Sequence, residues 1–142
     1  MRPPHRQLNH TSDLKVEIFG RTLAELFTNA AFCLFDLMLD RSQLKVTKTR
    51  IVELTAPNLA ELFLDWLREL LFLFSAHSFA VARAELIEFS ETEPFRLTAR
   101  LHGEDYDPAR HGLKIEIKVP TYHQYRLEST TNGYLATVIF DI

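Results

Sequence analysis

The sequence is poor in the residues that most directly mark a catalytic or cofactor-binding site. Four glycines in 142 residues provide no glycine-rich loop of the kind that cradles phosphate. The Cys-x-x-Cys, His-Glu-x-x-His and Gly-x-Ser-x-Gly motifs are also missing, which removes the commonest signatures of redox, zinc-protease and serine-hydrolase chemistry. The single cysteine, Cys33, has no second cysteine with which to form an internal disulfide, and this fits a reducing compartment.

Strong charge and long apolar runs are scarce as well. The net charge of −3 gives no electrostatic reason to expect strong nonspecific binding to nucleic acid. The most apolar stretch, residues 57–74, carries four charged residues within nine positions, which argues against a membrane span. The opening MRPPHRQL has no apolar core, so we expect no signal peptide, a disordered extension over residues 1–8 and a cytoplasmic protein.

What the chain does contain predicts a single α+β domain over residues 9–142. Residues 57–74 have one wide apolar stripe at helical period, with Asn58 as the N-cap and Glu61 at the reciprocal capping position. Thr22 and Glu25 predict the same start for an earlier amphipathic helix. We expect both helices to pack on one face of a mixed or antiparallel sheet of about six to seven strands.

The strands are predicted from alternating apolar residues and from turn signals. Asn132-Gly133 indicates a hairpin between the last two strands. The polar loop at 105–112 contains Pro108, which is compatible with one helical turn. The expected strands cover residues 14–19, 46–54, 81–89, 95–103, 113–119, 122–128 and 134–140.

Three polar clusters are candidates for function, and each has a plain structural alternative. Residues 9–13 (NHTSD) precede the first strand, where polar residues usually form a turn. Asp141-Ile142 would place two carboxylates at the end of the last strand, where oxygen ligands suit Ca²⁺ or Mg²⁺; the alternative is an exposed strand end. In the third cluster, Lys114, Glu116 and Lys118 alternate with apolar residues, as on a solvated strand face. His10 and His123 are candidate general bases or zinc ligands, but the histidines show no ligand spacing.

Taken together and in order, these segments resemble the archease family over nearly the whole chain. The family pattern of Asp/Glu-His-Thr-Ala-Asp is matched at 9–13, although Asn9 replaces the usual acid and Ser12 the usual Ala. Each of the other motifs is weak alone, and the order of the set makes the resemblance specific. The further matching segments are residues 20–25 (GRTLAE), 33–38 (CLFDLM), 66–71 (WLRELL), 114–118 (KIEIK), 121–123 (TYH) and 141–142 (DI).

The resemblance implies a non-enzymatic activator of the RNA-splicing ligase, which joins 2′,3′-cyclic phosphate or 3′-phosphate ends to 5′-hydroxyl ends. In that family the activator promotes guanylylation of the ligase and multiple turnover in tRNA splicing or RNA repair. RNA would be met only through the ligase. The resemblance also implies a bound divalent cation, typically calcium, with Asp13, Asp141 and the Ile142 carboxylate as ligands. The ligase-contacting residues expected from it are His10, Lys114, Glu116, Lys118, Tyr122 and His123.

Two other functions stay open on the sequence alone. A metal-dependent hydrolase that uses His10, His123 and Asp13 would turn over substrate without a partner and would prefer zinc or manganese. A general protein-binding chaperone would act on unrelated clients. The two differ from a ligase activator in whether the purified protein is active alone and in how selective its binding is.

Overall fold

The structure, a computed structural model, describes residues 4–8 and 13–142. The predicted α+β class is confirmed, with the chain order ββαβαββαββ across the described ranges. The elements are β1 His5–Leu8, β2 Asp13–Gly20, α1 Leu23–Met38, a 3₁₀ turn Arg41–Gln43, β3 Lys48–Ala56, α2 Leu59–His77, β4 Phe79–Ser90, β5 Phe95–Asp105, α3 Pro108–His111, β6 Val119–Thr130 and β7 Gly133–Asp141.

The strands divide into two antiparallel sheets, whereas the sequence analysis expected one. Sheet A has the order β1-β2-β7-β6, and sheet B has the order β3-β5-β4. Helix α1 contacts β2 and β7 of sheet A and β4 of sheet B, while α2 contacts β6 of sheet A and β3 of sheet B. Both helices therefore bury residues against two sheets, which is why the second half of α2 is apolar on nearly all sides.

The predicted N-cap residues of the two helices are confirmed, while the Glu25 carboxylate accepts from the Arg21 amide and not from the N-cap residue Thr22. The Glu25 amide donates to Thr22 Oγ1 at 3.1 Å, and the Glu61 amide donates to Asn58 Oδ1 at 2.9 Å. Between the helices the fully buried Trp66 indole donates to the Phe27 carbonyl at 2.8 Å. This bond satisfies the polar end of a large core side chain that would otherwise be buried without a partner.

Two predictions about the chain's extended segments are wrong. Residues 5–8, expected to be disordered, form β1 and pair with β2 in the register His5↔Ile18 to Leu8↔Lys15. Pairing with the edge of β2 orders a segment that has no apolar alternation of its own. Residues 113–118, expected to lie in a strand, form no strand and belong to neither sheet. Their backbone bonds instead to α1 and β7, through Lys114 N–H to Met38 O at 2.7 Å and Lys118 N–H to Asp141 O at 2.8 Å.

The hairpin and the single helical turn are confirmed. β6 and β7 pair as far as Thr130↔Gly133, which leaves a two-residue turn at Thr131-Asn132. Gly133 has a φ of 151°, and a Cβ there would lie 2.3 Å from the Gly20 carbonyl oxygen. Glycine is therefore required where the hairpin passes the end of β2. None of the helices formed by residues 4–8 and 13–142 combines the length and apolarity that crossing a bilayer requires.

A buried charged cluster holds the loop that carries α3 and leads into residues 113–118. The Glu104 carboxylate, only 5% exposed, accepts from Arg110, from the Lys45 amide at 2.6 Å and from His111 Nε2 at 3.0 Å. The Asp107 amide donates to His111 Nδ1 at 2.9 Å, so the proton of the buried imidazole lies on Nε2 and points at Glu104. The hydrogen bond from Arg110 is the main cause that lowers the pKa of Glu104 to about 2.

This cluster should make the protein sensitive to acid. A carboxyl whose pKa is lowered on folding contributes stability above its ordinary pKa of about 4.5, and that contribution is lost as the pH falls towards 2. Glu104→Gln should lower the free energy of unfolding on the order of 2 kcal/mol at pH 7. The difference from wild type should shrink steadily between pH 5 and pH 2. Urea unfolding across this range measures it, and a difference that is constant with pH would contradict the assignment.

Candidate metal and partner-binding site

Antiparallel pairing brings the two ends of the domain together at one end of sheet A. Asp13, the first residue of β2, is the cross-strand partner of Asp141, the last residue of β7. Directly paired residues have their Cβ atoms about 5 Å apart on the same face. The carboxylates of Asp13 and Asp141 therefore extend from one edge of the sheet in the same direction, and Ile142 follows Asp141 at once.

Burial of the neighbouring residues determines which face the carboxylates occupy. Leu14 and Phe140, the next pair along the ladder, are 2% and 0% exposed and face the helices. Because successive side chains alternate across a strand, Asp13 and Asp141 face away from the core. Asp13 is half-buried and Asp141 is exposed, so the pair is accessible from outside.

The charged residues of the third cluster lie beside this pair or lead up to it. Lys114, Glu116 and Lys118 are all exposed, while Ile117 between them is buried. Lys118 lies closest to the acidic pair, because its amide bonds the Asp141 carbonyl. Lys114 bonds the end of α1 instead, and the four Cα–Cα steps from Lys114 to Lys118 span at most about 14 Å.

The alternation of Lys114, Glu116 and Lys118 with apolar residues predicts that Val119 faces the core, and this is wrong. Val119 is exposed and is the partner of Asp141 on the other side of β7 from Asp13, while Pro120 takes the buried position opposite Phe140. The alternation therefore shifts by one residue where the irregular segment enters β6. This shift adds an apolar side chain to the row that contains the two carboxylates.

Tyr122 and His123 lie in a bulge of β6 and not in a regular strand. The register passes from Thr121↔Ile139 to Arg126↔Thr137, so β6 has more residues than β7 in this interval. The Tyr122 hydroxyl donates to Glu61 Oε2 at 3.0 Å, and Arg68 lies over the Tyr122 ring at 5.3 Å. The bulge is thus attached to the start of α2, and it holds the exposed His123 between two anchored residues.

The two residues that follow His123 are also held, and their contacts lie in different directions. The hydroxyl of half-buried Tyr125 donates to the Ala60 carbonyl of α2 at 2.8 Å, and partial burial is the main cause that raises the pKa of this hydroxyl. Gln124, at a φ of 55°, accepts from Lys15 Nζ at 3.3 Å across β7. Glu61, Arg68 and Gln124 could not be singled out from the sequence, because their roles depend on where the bulge lies.

We call the end of sheet A that carries Asp13 and Asp141 the acidic end; exposed Ile142 follows Asp141 there. The two aspartates offer carboxylate oxygens, the ligand type that Ca²⁺ and Mg²⁺ prefer. Within residues 4–8 and 13–142, no three His, Cys, Asp or Glu side chains come together in a group that could hold a metal ion. His10, and Asn9 beside it, lie outside the described residues.

The chain is similar to archeases in sequence along almost its whole length. The model of the Archease protein family (MTH1598/TM1083) matches residues 5–142. Protein archease of Methanosarcina acetivorans is 38% identical over 139 residues, which cover 97% of this chain and 95% of that protein. Protein archease of Archaeoglobus fulgidus is 33% identical over 138 residues, covering 97% and 98%.

Solved structures agree with the sequence comparison. The solution structure of protein 1598 of Methanobacterium thermoautotrophicum has a TM-score of 0.82 and 27% identity, and the match covers 98% of this chain and 99% of that one. The crystal structure of an archease and possible chaperone from Thermotoga maritima has a TM-score of 0.59 and 21% identity, with 100% and 98% covered, and this similarity supports the fold alone. The fold assigns this chain to the class of small α+β proteins. The chain belongs to the archease family.

Metal binding should depend on the two paired aspartates. Replacing either carboxylate by an amide keeps the shape and removes one charge from an oxygen site, which weakens the binding of a hard cation. Calorimetric titration with calcium should show at least tenfold weaker binding for Asp13→Asn and for Asp141→Asn. Glu17→Gln, on the same strand and face, is the matched control and should bind as wild type does. Wild-type affinity in both aspartate variants would exclude this site.

Proposed function

We propose that this protein activates an RNA-splicing ligase without itself being an enzyme, by presenting the acidic end of sheet A to the ligase's nucleotide site. The observation that carries the proposal is membership of the archease family over residues 5–142. The pairing of Asp13 with Asp141 supports it, because the residues that the family resemblance nominates as ligands are neighbours. Under this proposal the protein works in the cytoplasm, in tRNA splicing or RNA repair, and meets RNA only through the ligase.

The residues around the acidic end have two different roles in this proposal, cation binding and stabilisation of phosphate charge. Asp13, Asp141 and the Ile142 carboxylate would hold a divalent cation, calcium in the proposal. Such a cation would supply positive charge at the interface with the ligase. Lys118, next to Asp141, and Lys114 farther along stabilise phosphate charge as the ligase histidine is guanylylated.

The remaining contacts orient the two proteins. Glu116 lies between the two lysines and offers a carboxylate to a basic group of the ligase. The β6 bulge, attached to α2 through Tyr122, presents His123 at a defined place. A held loop loses less conformational freedom on binding than a free one, so the anchors of the bulge favour a precise contact. His10 belongs to the same set of proposed contacts.

One pair of substitutions separates ligase activation from folding. Lys118 is exposed, so Lys118→Ala should change the free energy of unfolding by less than about 1 kcal/mol. It should lower the rate of single-turnover ligase guanylylation by more than tenfold, because phosphate charge loses a partner. Ile117 is only 4% exposed, so Ile117→Ala should instead lower the free energy of unfolding by about 2–5 kcal/mol, because it leaves a cavity in the core. Thermal melts and the guanylylation assay are run side by side on the same samples.

Three results, from this experiment and from two further assays, would contradict the proposal. Lys118→Ala protein that melts and activates as wild type does would leave residues 113–118 with no part in activation. Metal-dependent turnover of RNA by the protein alone, lost in His123→Ala, would favour the hydrolase. Equal binding to the ligase and to unrelated unfolded proteins in a pull-down would favour a general chaperone.

A further inference from the structure

Among residues 4–8 and 13–142, four strands lie at the edges of the two sheets: β1 and β6 in sheet A, β3 and β4 in sheet B. An edge strand presents unpaired N–H and C=O groups, and proteins commonly block such edges with short strands, proline, bulges or covering side chains. β1 has only four residues, and β6 has both Pro120 and the bulge attached to α2. β4 has two irregularities in its register, and Arg41 donates to the Ala82 carbonyl at 2.7 Å in one of them.

β3 has none of these protections. Its nine residues contain neither proline nor glycine, and they pair with β5 without a break, from Lys48↔Gly103 to Ala56↔Phe95. In the part of the chain that the structure describes, no backbone hydrogen bond outside this ladder reaches residues 48–56. About half of the N–H and C=O groups of β3 therefore point away from the sheet, because successive residues of an antiparallel strand bond alternately to its two sides. The ligand that such an edge binds is another extended peptide backbone.

The side chains of β3 provide a second observation. Val52 is 5% exposed and faces the helices, so its neighbours along the strand face outward. These residues are Thr49, Ile51 and Glu53, all exposed, and we call them the outer row. Ile51, next to the middle of the strand, is 53% exposed, and an aliphatic side chain is stabilised when a partner covers it.

We propose that β3 pairs antiparallel with β3 of a second copy of this chain, about a two-fold axis. A strand that pairs with its own copy makes an isologous contact, in which each residue opposes a fixed partner in the same sequence. Continuation of the sheet requires that outer-row residues oppose outer-row residues. The pairing uses no residue of the acidic end, so it is independent of the function proposed above.

Side-chain complementarity selects one register for this pairing. An axis at Arg50 or at Glu53 would place that charge opposite its own copy, and like charges directly opposite each other are destabilising. An axis at Val52 would oppose Ile51 to Glu53, an apolar side chain to a charged one. With the axis at Ile51, the two isoleucines pack against each other, and Thr49 opposes Glu53, whose carboxylate accepts from the threonine hydroxyl. Each member of the outer row then has a suitable partner, and this favours a second copy over an unrelated peptide.

Sedimentation of the purified protein over a range of concentrations tests the pairing. Wild type should dimerise reversibly, and Ile51→Lys should raise the dissociation constant of the dimer about tenfold or more, because two ammonium groups would meet at the axis. Ile87→Lys is the matched control, since Ile87 is 45% exposed on β4 of the same sheet, and it should dimerise as wild type does. Thr49→Glu should weaken the dimer and Thr49→Lys should strengthen it, because residue 49 opposes Glu53. These two substitutions at an exposed position keep the test valid if Ile51→Lys does not fold.

Chemical cross-linking tests the register directly. Ile51→Cys should give a covalent dimer with a short bismaleimide, because the two introduced thiols lie opposite each other at the axis. Wild type, whose Cys33 is fully buried, and Ile87→Cys should not.

Three results would overturn the inference. The first is wild type that stays monomeric up to about 1 mM, the range of weak complexes. The second is a dimer that Ile51→Lys and Thr49→Glu leave unchanged, because it would use another surface. The third is monomeric wild type that binds the purified ligase with an affinity that Ile51→Lys abolishes, because a strand of that partner would then occupy the edge of β3.

Discussion

The antiparallel pairing of β2 with β7 is the interaction on which the proposed site depends. Its register is enforced by burial, because Leu14 and Phe140 form one inward-facing pair and Val16 and Val138 the next. A slip of one residue would expose these apolar pairs and turn Asp13 towards the core. Apolar contacts with the helices thus keep two carboxylates, one from each end of the domain, side by side and facing outward.

A second constraint fixes the segment that approaches this pair from the other side. The cluster around Glu104 and His111 holds α3, the Tyr106 hydroxyl donates to the Gly112 carbonyl at 2.7 Å, and the Lys114 amide bonds the end of α1. Residues 113–118 are therefore held at both ends without belonging to a sheet. This explains how Lys118 and Val119 reach the acidic end while the segment keeps its outer side chains free for contact.

The sequence predicted those elements whose signal is local. Both helices and their caps follow from apolar periodicity and from Thr22 and Asn58, and most strands follow from alternation. The division into two sheets, the pairing of β1 and the exposure of Val119 depend on contacts between distant segments, which periodicity does not encode. The candidate site shows the same division. Asp13 and Asp141 could be nominated through family resemblance, but their register as partners, and the β6 bulge that holds His123, appear only once the chain is folded.

The most direct test of the account joins the metal site to activation of the ligase. Guanylylation of purified RNA-splicing ligase is followed in single turnover with saturating wild-type, Asp13→Asn or Glu17→Gln protein, while the calcium concentration is varied. The account predicts that Asp13→Asn activates poorly at low calcium and recovers as calcium rises, because mass action offsets weaker binding, whereas Glu17→Gln follows wild type. Full activation by Asp13→Asn at every calcium concentration would contradict the proposal that the paired carboxylates bind the cation on which activation depends.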